Sequence, residues 1–360
     1  MQNAKALFQS LVLSTALCGS VQAADVFTTE QRLLQGLEIL QKGDFVQALQ
    51  HFQQLSDDLP KYKLVQLITA DLLALQSGQQ ALIDEVYKRF PKTIAALQEE
   101  AKVRWQFAYG GQAKQLDLAQ YALKTADQPY VVFVSLQEHR LFVYQRDQAG
   151  QLQKVQDYYI TMGQKGTGKQ REGDRRTPIG VYHIVDFIED KRLPDLYGVG
   201  ALPLNYPNRW DRHQGKTGSG IWVHGVPRDT YARTPRDSRG CVVLSNAAMA
   251  NLVGDQRLPL STPVIISDEP LEAMLLNPAE QKQLETTLQA WLGDNRPEVD
   301  WKDVSVYRYP NEVGLFYATL PSAENDSQLI HQFWRRDLQG DWVLELEEAE
   351  DKEIKYVFRR

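Results

Sequence analysis

One cysteine of this chain has the neighbours expected of a catalytic nucleophile. Cys241 ends the run Ser238-Arg239-Gly240-Cys241 and lies 17 residues after His224. A glycine before the thiol lets the backbone turn sharply and bring N–H groups close to a bound carbonyl. A histidine upstream can take the thiol proton during attack. The pattern predicts covalent catalysis by a cysteine with a histidine base.

The first 24 residues predict a cleaved secretion signal. Lys5 is the only charge before Asp25, residues 6–17 are mainly apolar, and small residues precede a cut at Ala23 or Ala24. Cleavage there would remove Cys18 and leave one cysteine, so an internal disulfide is excluded in the mature chain.

The charge distribution favours an anionic ligand near the thiol. The net charge of −6 gives no indication of a nucleic-acid partner. Residues 161–240 nevertheless carry 14 Lys and Arg against 9 Asp and Glu, a local excess of +5, whereas residues 345–353 are acidic. A basic surface around Cys241 would attract an anionic substrate. Ordinary surface charge is the alternative.

Residues 25–127 predict a helical domain. Gly43-Asp44-Phe45 and a closing Pro60 frame a helical hairpin that resembles one tetratricopeptide repeat, with no second copy at that period. Further helices are expected over four segments, namely 62–77, 79–89, 92–109 and 115–124. This domain could offer a surface for a protein partner or for self-association, or it could only support the catalytic unit.

Strand patterns begin at Tyr130 and continue to residue 266, interrupted by a short helix at 246–253. Many short strands with one helix favour a mostly antiparallel sandwich or barrel. After Pro270, a helix over 278–291 and four strands predict an α+β unit, residues 275–360. Its element order and aromatic residues resemble the nuclear transport factor two-like fold, in which a cone-shaped pocket could hold a ligand. A packed aromatic core is the alternative.

Three motifs in order resemble the L,D-transpeptidase catalytic domain of bacterial cell-wall enzymes. They are Ile221-Trp222-Val223-His224-Gly225 followed by Ser238-Arg239-Gly240-Cys241, then Gly173-Asp174-Arg175-Arg176-Thr177-Pro178-Ile179-Gly180-Val181-Tyr182, and Leu204-Asn205-Tyr206-Pro207-Asn208. The resemblance implies a catalytic domain over 128–268 within a multidomain α+β chain. With its helical front and α+β tail, the arrangement looks most like the L,D-carboxypeptidases that set helical cell shape.

The resemblance also implies roles for individual residues. Cys241 would be the nucleophile, His224 the general base, and the Gly225 carbonyl the group that orients the imidazole. The N–H groups of Gly240 and Cys241 would form the oxyanion hole. Asp174 and Thr177 are expected to organise the polar, Gly-rich loop that runs from Gly163 to Gly173. The residues expected to contact substrate are Ser238, Arg239, Arg236, Arg228, Tyr206 and Trp222.

The implied reaction is acyl transfer through a thioester on peptidoglycan tetrapeptide stems, in the periplasm and without a cofactor. An amine acceptor would give a crosslink, and water would trim the stem to a tripeptide. Many family members carry His at the position of Arg239 and Arg at that of Val243, and the second departure weakens the case for crosslinking.

Other interpretations stay open at this stage. Hydrolysis of the link between peptidoglycan and a lipoprotein is one, and a non-catalytic peptidoglycan-binding scaffold is another. Cys241 taken alone could be a small buried apolar residue. A metal is not expected, because the spacing of His213, His224 and Cys241 matches no common zinc pattern.

Overall fold

The computed structural model describes residues 20–110, 116–254, 257–271 and 277–355, with side chains from residue 29 onward. The predicted secretion signal therefore lies largely outside the described residues. Within those ranges, none of the helices has the length and apolarity that crossing a bilayer requires.

The described residues form eight α-helices and sixteen strands. In chain order they are α1 (Ser20–Gln41), α2 (Phe45–Asp58), α3 (Lys63–Ser77), α4 (Gln80–Arg89), α5 (Pro91–Tyr109), β1 (Ala122–Lys124), β2 (Tyr130–Ser135), β3 (Arg140–Arg146), β4 (Leu152–Tyr159), β5 (Met162–Gly163), β6 (Gly180–His183), β7 (Ile188–Glu189), β8 (Gly200–Pro203), α6 (Arg209–His213), β9 (Trp222–His224), β10 (Arg236–Ser238), β11 (Val242–Val243), α7 (Asn246–Val253), β12 (Pro263–Ser267), α8 (Pro278–Asn295), β13 (Ser305–Arg308), β14 (Leu315–Pro321), β15 (Gln328–Arg336) and β16 (Trp342–Asp351).

The predicted helical hairpin is confirmed as α1 and α2. Asp44 caps α2, its carboxylate accepting from the Gln47 N–H at 3.0 Å. Ala48, Phe52 and Leu55 line one face of α2 and are wholly buried. Spaced three to four residues apart, they pack on α1 and α3 in one core.

The helix predicted over 115–124 is wrong. Residues 118–120 form a single 3-10 turn, and β1 follows it as a strand that pairs with β13 of the C-terminal sheet. Leu118 and Tyr121 are buried in the core beneath that sheet. Long-range pairing and burial therefore outweigh the local helical pattern.

Two sheets and α7 enclose the core of the catalytic region. A five-stranded sheet has the order β4-β3-β2-β12-β6, and a four-stranded sheet has the order β11-β9-β8-β7. Three pairs, β12–β2, β11–β9 and β10–β5, are parallel. The other five pairs are antiparallel, so the α+β class and the mostly antiparallel arrangement are both confirmed.

The uninterrupted apolar run of β2 reflects burial on both faces. Val132 and Val134 belong to the core between the catalytic sheets. Val131 and Phe133 belong to a second core that the C-terminal sheet covers. A strand with two covered faces needs apolar residues at every position rather than at alternate ones.

The C-terminal sheet is an antiparallel meander, β1-β13-β14-β15-β16, packed between α8 and the catalytic domain. Leu284, Leu288 and Leu292 of α8 cover one face, against Phe316 and Trp334. The aromatic residues thus form a packed core, as one of the two interpretations expected. The resemblance to the nuclear transport factor two-like fold and the domain limits stay predictions.

The acidic end of the chain docks on the catalytic domain. On β16, Glu348 pairs with Arg212, and Glu350 accepts from Asn205 Nδ2 at 3.0 Å. Past the strand, the Ile354 N–H donates to the Val185 carbonyl at 2.8 Å. Part of the acidic charge therefore serves an internal interface.

Candidate active site

The register of β9 and β11 brings the predicted nucleophile and base to one face of a sheet. These parallel strands pair Val242 with Val223 and Val243 with His224. Val223 and Val242 point into the core between the catalytic sheets. Cys241 and Trp222 lie on the opposite face, in a small apolar cluster. Because side chains alternate along a strand, His224 shares the face of Trp222 and Cys241.

His224 is held by its own neighbour. Its Nδ1 lies 2.6 Å from the Gly225 carbonyl, which fixes the tautomer with Nδ1 protonated and leaves Nε2 as the acceptor. The edge of the Tyr197 ring packs on the imidazole with centroids 5.0 Å apart. Burial lowers the pKa of His224 to about 4, with a contribution from the charge of Arg233 and against the opposing effect of the Gly225 carbonyl. The imidazole is therefore neutral at pH 7, which is the form that can accept a proton.

Cys241 is half-buried, and its thiol points to the Gly220 carbonyl, with Sγ and O 3.5 Å apart. Burial raises the pKa of the thiol, although a backbone hydrogen bond from Trp222 and the charges of Arg233 and Lys169 oppose the rise. The thiol is therefore protonated at neutral pH. Cys241 and His224 are thus both neutral at rest, rather than a thiolate with an imidazolium.

Ser238 fixes the loop that carries Cys241. Its hydroxyl accepts from the Gly240 N–H at 3.1 Å and donates to the Cys241 carbonyl at 2.7 Å. The Gly240 N–H thus already has a partner in this conformation. The oxyanion role expected of Gly240 requires that N–H to be shared with the substrate or released from Ser238.

The Gly-rich loop is ordered around one carboxylate. Asp174 accepts from the N–H groups of Gln170, Arg171 and Arg176 at 2.7–3.1 Å and from Lys169 Nζ at 2.9 Å. At the end of the loop, Thr177 Oγ1 accepts from the Gly163 N–H at 2.9 Å. The expectation that Asp174 and Thr177 organise this loop agrees with these contacts.

The arginines predicted to bind substrate differ in availability. Arg236 and Arg239 are exposed, and within the part of the chain that the structure describes neither guanidinium has a hydrogen bond or an ion pair. Arg228 instead pairs with Asp190 and lies 3.4 Å from Asp195. Its guanidinium is engaged, so the structure does not support Arg228 as a free carboxylate receptor.

The two aromatic residues expected in the cleft wall are both buried. Tyr206 packs in the central core and donates to the Thr217 carbonyl at 3.3 Å. Trp222 packs beside Cys241 and stacks obliquely on Tyr197, with centroids 4.8 Å apart. Trp222 is therefore placed next to the thiol, whereas Tyr206 supports the fold behind it.

Sequence reasoning missed Arg233 and Lys169. Arg233 acts electrostatically on both His224 and Cys241, and its backbone carbonyl is held by Tyr159 at 3.1 Å and Thr161 at 3.0 Å. Lys169 is almost fully buried against Asp174. The excess of Lys and Arg over 161–240 hinted at positive charge, but no motif singles out these two residues.

The alternative zinc set is not assembled. His213 packs on Trp210 and lies 3.8 Å from Glu345 of β16. Among the described residues, His213, His224 and Cys241 do not come together as a possible set of metal ligands.

Residues 129–266 match the family model described as YkuD, the L,D-transpeptidase catalytic domain. The segment that contains both sheets, His224 and Cys241 is thus a catalytic domain of the L,D-transpeptidase type, as its motifs indicated.

Three similar proteins each match part of this chain. The putative L,D-transpeptidase YafK of Escherichia coli K12 is 29% identical over 118 residues, which are 32% of this chain and 46% of YafK. The chain thus spans about half the length of the curated relative it matches. The helical cell shape determining protein Pgp2 from Campylobacter jejuni has a TM-score of 0.48 at 21% identity, covering 63% of this chain and 94% of Pgp2. Bd1075 from Bdellovibrio bacteriovorus has a TM-score of 0.46 at 21% identity, covering 64% of this chain and 98% of Bd1075.

Proposed function

We propose that this chain is a periplasmic cysteine acyltransferase of the L,D-transpeptidase type, acting on the tetrapeptide stems of peptidoglycan. The observation that carries the proposal is the pairing of β9 with β11. It brings His224 and Cys241 to one face while Gly225 holds the imidazole as a neutral base.

The chemistry follows from the resting state of the two groups. The Cys241 sulfur attacks the carbonyl between the diamino acid and the terminal D-alanine as Nε2 of His224 takes the thiol proton. That proton passes to the amine of D-alanine, which leaves as a thioester forms. Because thiol and imidazole are both neutral at rest, proton transfer accompanies attack rather than preceding it.

Trimming by water is the second candidate outcome for the thioester. Val243, where many family members carry Arg, is buried and bridged to Thr161 by two backbone hydrogen bonds of 2.9 Å. Residue 243 therefore offers no positive charge that could bind a second stem peptide as the acceptor. The observation favours an L,D-carboxypeptidase over a crosslinking enzyme.

The contacts of the helical domain favour a supporting role within this function. Tyr62 packs on Tyr231 with ring centroids 4.5 Å apart, and Lys61 Nζ donates to the Arg228 carbonyl at 2.8 Å. Both contacts reach the loop between His224 and Cys241. Binding of a protein partner or self-association through this domain is a proposal that the same contacts do not require.

Mass spectrometry of muropeptides tests the function. Purified chain lacking residues 1–24 is incubated with tetrapeptide muropeptides, alone and with a lipoprotein-linked fraction. We expect release of D-alanine and tripeptide products from wild type, and none from Cys241→Ala. The matched control is Val313→Ala at a surface position that is 96% exposed, which should retain activity. Crosslinks between diamino acids would favour the transpeptidase, and release of lipoprotein peptide would favour hydrolysis of the link between peptidoglycan and a lipoprotein. Unchanged muropeptides with wild type would contradict the proposal and favour a non-catalytic scaffold.

A further inference from the structure

Two histidines and a glutamate meet where the catalytic sheet packs on the C-terminal sheet. His183 ends β6, and His331 and Glu350 lie on β15 and β16. One ligand atom from each of the three side chains lies within 4.8 Å of the others. Nε2 of His331 is 3.7 Å from Oε2 of Glu350, and the two imidazole rings stack with centroids 5.0 Å apart.

The imidazole nitrogens here are left without partners. His183 is 3% exposed and His331 is 2% exposed. Neither ring nitrogen of His183, nor Nε2 of His331, has a hydrogen-bonding partner among the described residues. Buried polar atoms are almost always paired, so unpaired nitrogens this close to a carboxylate indicate a ligand.

We propose that His183, His331 and Glu350 bind a Zn²⁺ ion that joins the catalytic domain to the C-terminal domain. Imidazole nitrogen and carboxylate oxygen are ligands that Zn²⁺ prefers, and two histidines with one glutamate leave a fourth position for water. Burial lowers the pKa of both histidines, and neutral imidazole is the form that binds metal. The inference uses none of the residues assigned to acyl transfer.

Surrounding residues orient two of the three ligands. The Tyr317 hydroxyl contacts Nδ1 of His331 and leaves Nε2 for the metal. The Asn205 side-chain amide donates to Oε2 of Glu350 at 3.0 Å. Oδ1 of Asn205 accepts from the backbone N–H of His183 at 2.9 Å. Such outer contacts are typical of metal sites, where they fix the geometry of the ligands.

Binding requires a small closure of the site. Ligand atoms about 2.0–2.1 Å from a tetrahedral ion are about 3.3 Å from one another. In the structure the three ligand atoms are up to 4.8 Å apart, so they must come closer together. The ring planes are 16° from parallel, so one imidazole must turn to aim its lone pair at the ion. His183 can turn without breaking a side-chain hydrogen bond, and Glu350 is partly exposed and offers the ion a route in.

Zinc titration of the chelator-treated full chain tests the site. The experiment is run in wild type and in Cys241→Ala, so that the thiol cannot account for binding. We expect one Zn²⁺ per chain in both. Loss of a ligand in His331→Gln or Glu350→Gln should weaken binding more than about 100-fold, since even outer-shell changes cost about 10–100-fold. His213→Gln, which alters a histidine outside the cluster, is the matched control and should bind as wild type does.

Two measurements make the result decisive. Melting curves in EDTA show whether each variant folds without metal. X-ray absorption of the Zn²⁺-loaded chain should show nitrogen and oxygen at about 2.0–2.1 Å and no sulfur. The proposal fails if the wild type binds no Zn²⁺ or if binding vanishes in Cys241→Ala. It also fails if folded His331→Gln and Glu350→Gln bind like the wild type.

Discussion

At the scale of single residues, burial controls the protonation states of Cys241 and His224. Burial raises the pKa of Cys241 and lowers that of His224 to about 4, so each group is driven towards its neutral form. The charges of Arg233 and Lys169 only moderate the effect on the thiol. A motif that names a cysteine and a histidine suggests a thiolate that is ready to react. In the structure, burial instead favours the protonated thiol.

Alkylation of Cys241 by iodoacetamide should therefore be slow at pH 7. An activated thiol would alkylate well below pH 8, whereas a buried or unactivated thiol would not. A raised pKa means that the thiolate is present only above the ordinary thiol range. We expect the rate at pH 7 to be below that of N-acetylcysteine and to rise through a midpoint above 9. Stopped samples analysed by mass spectrometry, with Cys241→Ala as the blank, measure the rate. A midpoint well below pH 8 would contradict the assigned resting state.

At the scale of elements, the site depends on a close approach of two loops. Gly240 has a φ of 126°, and a Cβ at this position would lie 2.7 Å from the Arg176 carbonyl of the Gly-rich loop. The nucleophile loop can pass this close only because residue 240 lacks a side chain. Ser238 and Asp174 then hold the two loops in place by hydrogen bonds.

Gly240→Ala should reduce turnover at least about tenfold, since misplacement by about 1 Å can cost far more than that. Backbone strain at the left-handed position should also destabilise the fold by about 1–3 kcal/mol. Gly215→Ala is the matched control, because Gly215 has a φ of 71° with open space around it. Rates of D-alanine release and urea unfolding curves for both variants check the prediction. Equal rates for the two variants would show that the close approach does not matter.

At the scale of the whole molecule, a buried ionic cluster ties the helical domain to the catalytic domain. Glu30 of α1 accepts from Arg140 of β3 at 2.7 and 2.8 Å and from Arg104 of α5 at 3.1 Å. Arg104 also covers the Tyr159 ring at 3.7 Å, and the Tyr159 hydroxyl holds the Arg233 carbonyl. The helical domain thus contacts the catalytic loop through two routes, this cluster and the Tyr62–Tyr231 pair.

Glu30→Gln should destabilise the chain by roughly 3 kcal/mol at neutral pH, because it removes the carboxylate that two buried arginines share. Arg104 would keep only Glu100 as a counter-charge, and Arg140 only Asp157 at 3.5 Å. Burial would raise the pKa of Glu30, but Arg140 and Arg104 lower it to about 2, against an ordinary 4.5. The stabilisation of the fold by ionised Glu30 is therefore complete above pH 4.5 and is lost as the pH falls towards 2.

Unfolding by urea at several pH values measures this difference. The difference in the free energy of unfolding between wild type and Glu30→Gln should become smaller below about pH 4.5. Asp58→Asn, which breaks the exposed pair with Arg32, is the control and should cost less than about 1 kcal/mol. A gap that stays constant with pH would show that the carboxylate charge is not what stabilises the interface.

The sequence by itself determined the kind of protein and much of its local structure. Helix α7 was predictable because Ser245 caps an apolar run, and β2 because its residues are apolar at every position. The roles of Cys241 and His224 remain predictions that rest on motifs, since spacing along the chain is what a motif records.

Only the tertiary structure decided which charges meet. No local pattern reveals that Arg228 is already paired, that Arg233 acts on both Cys241 and His224, or that β1 joins the C-terminal sheet. The meeting of His183 with His331 across two sheets is equally invisible along the chain. Burial and electrostatics depend on residues far apart in sequence, so they exist only once the cores have packed.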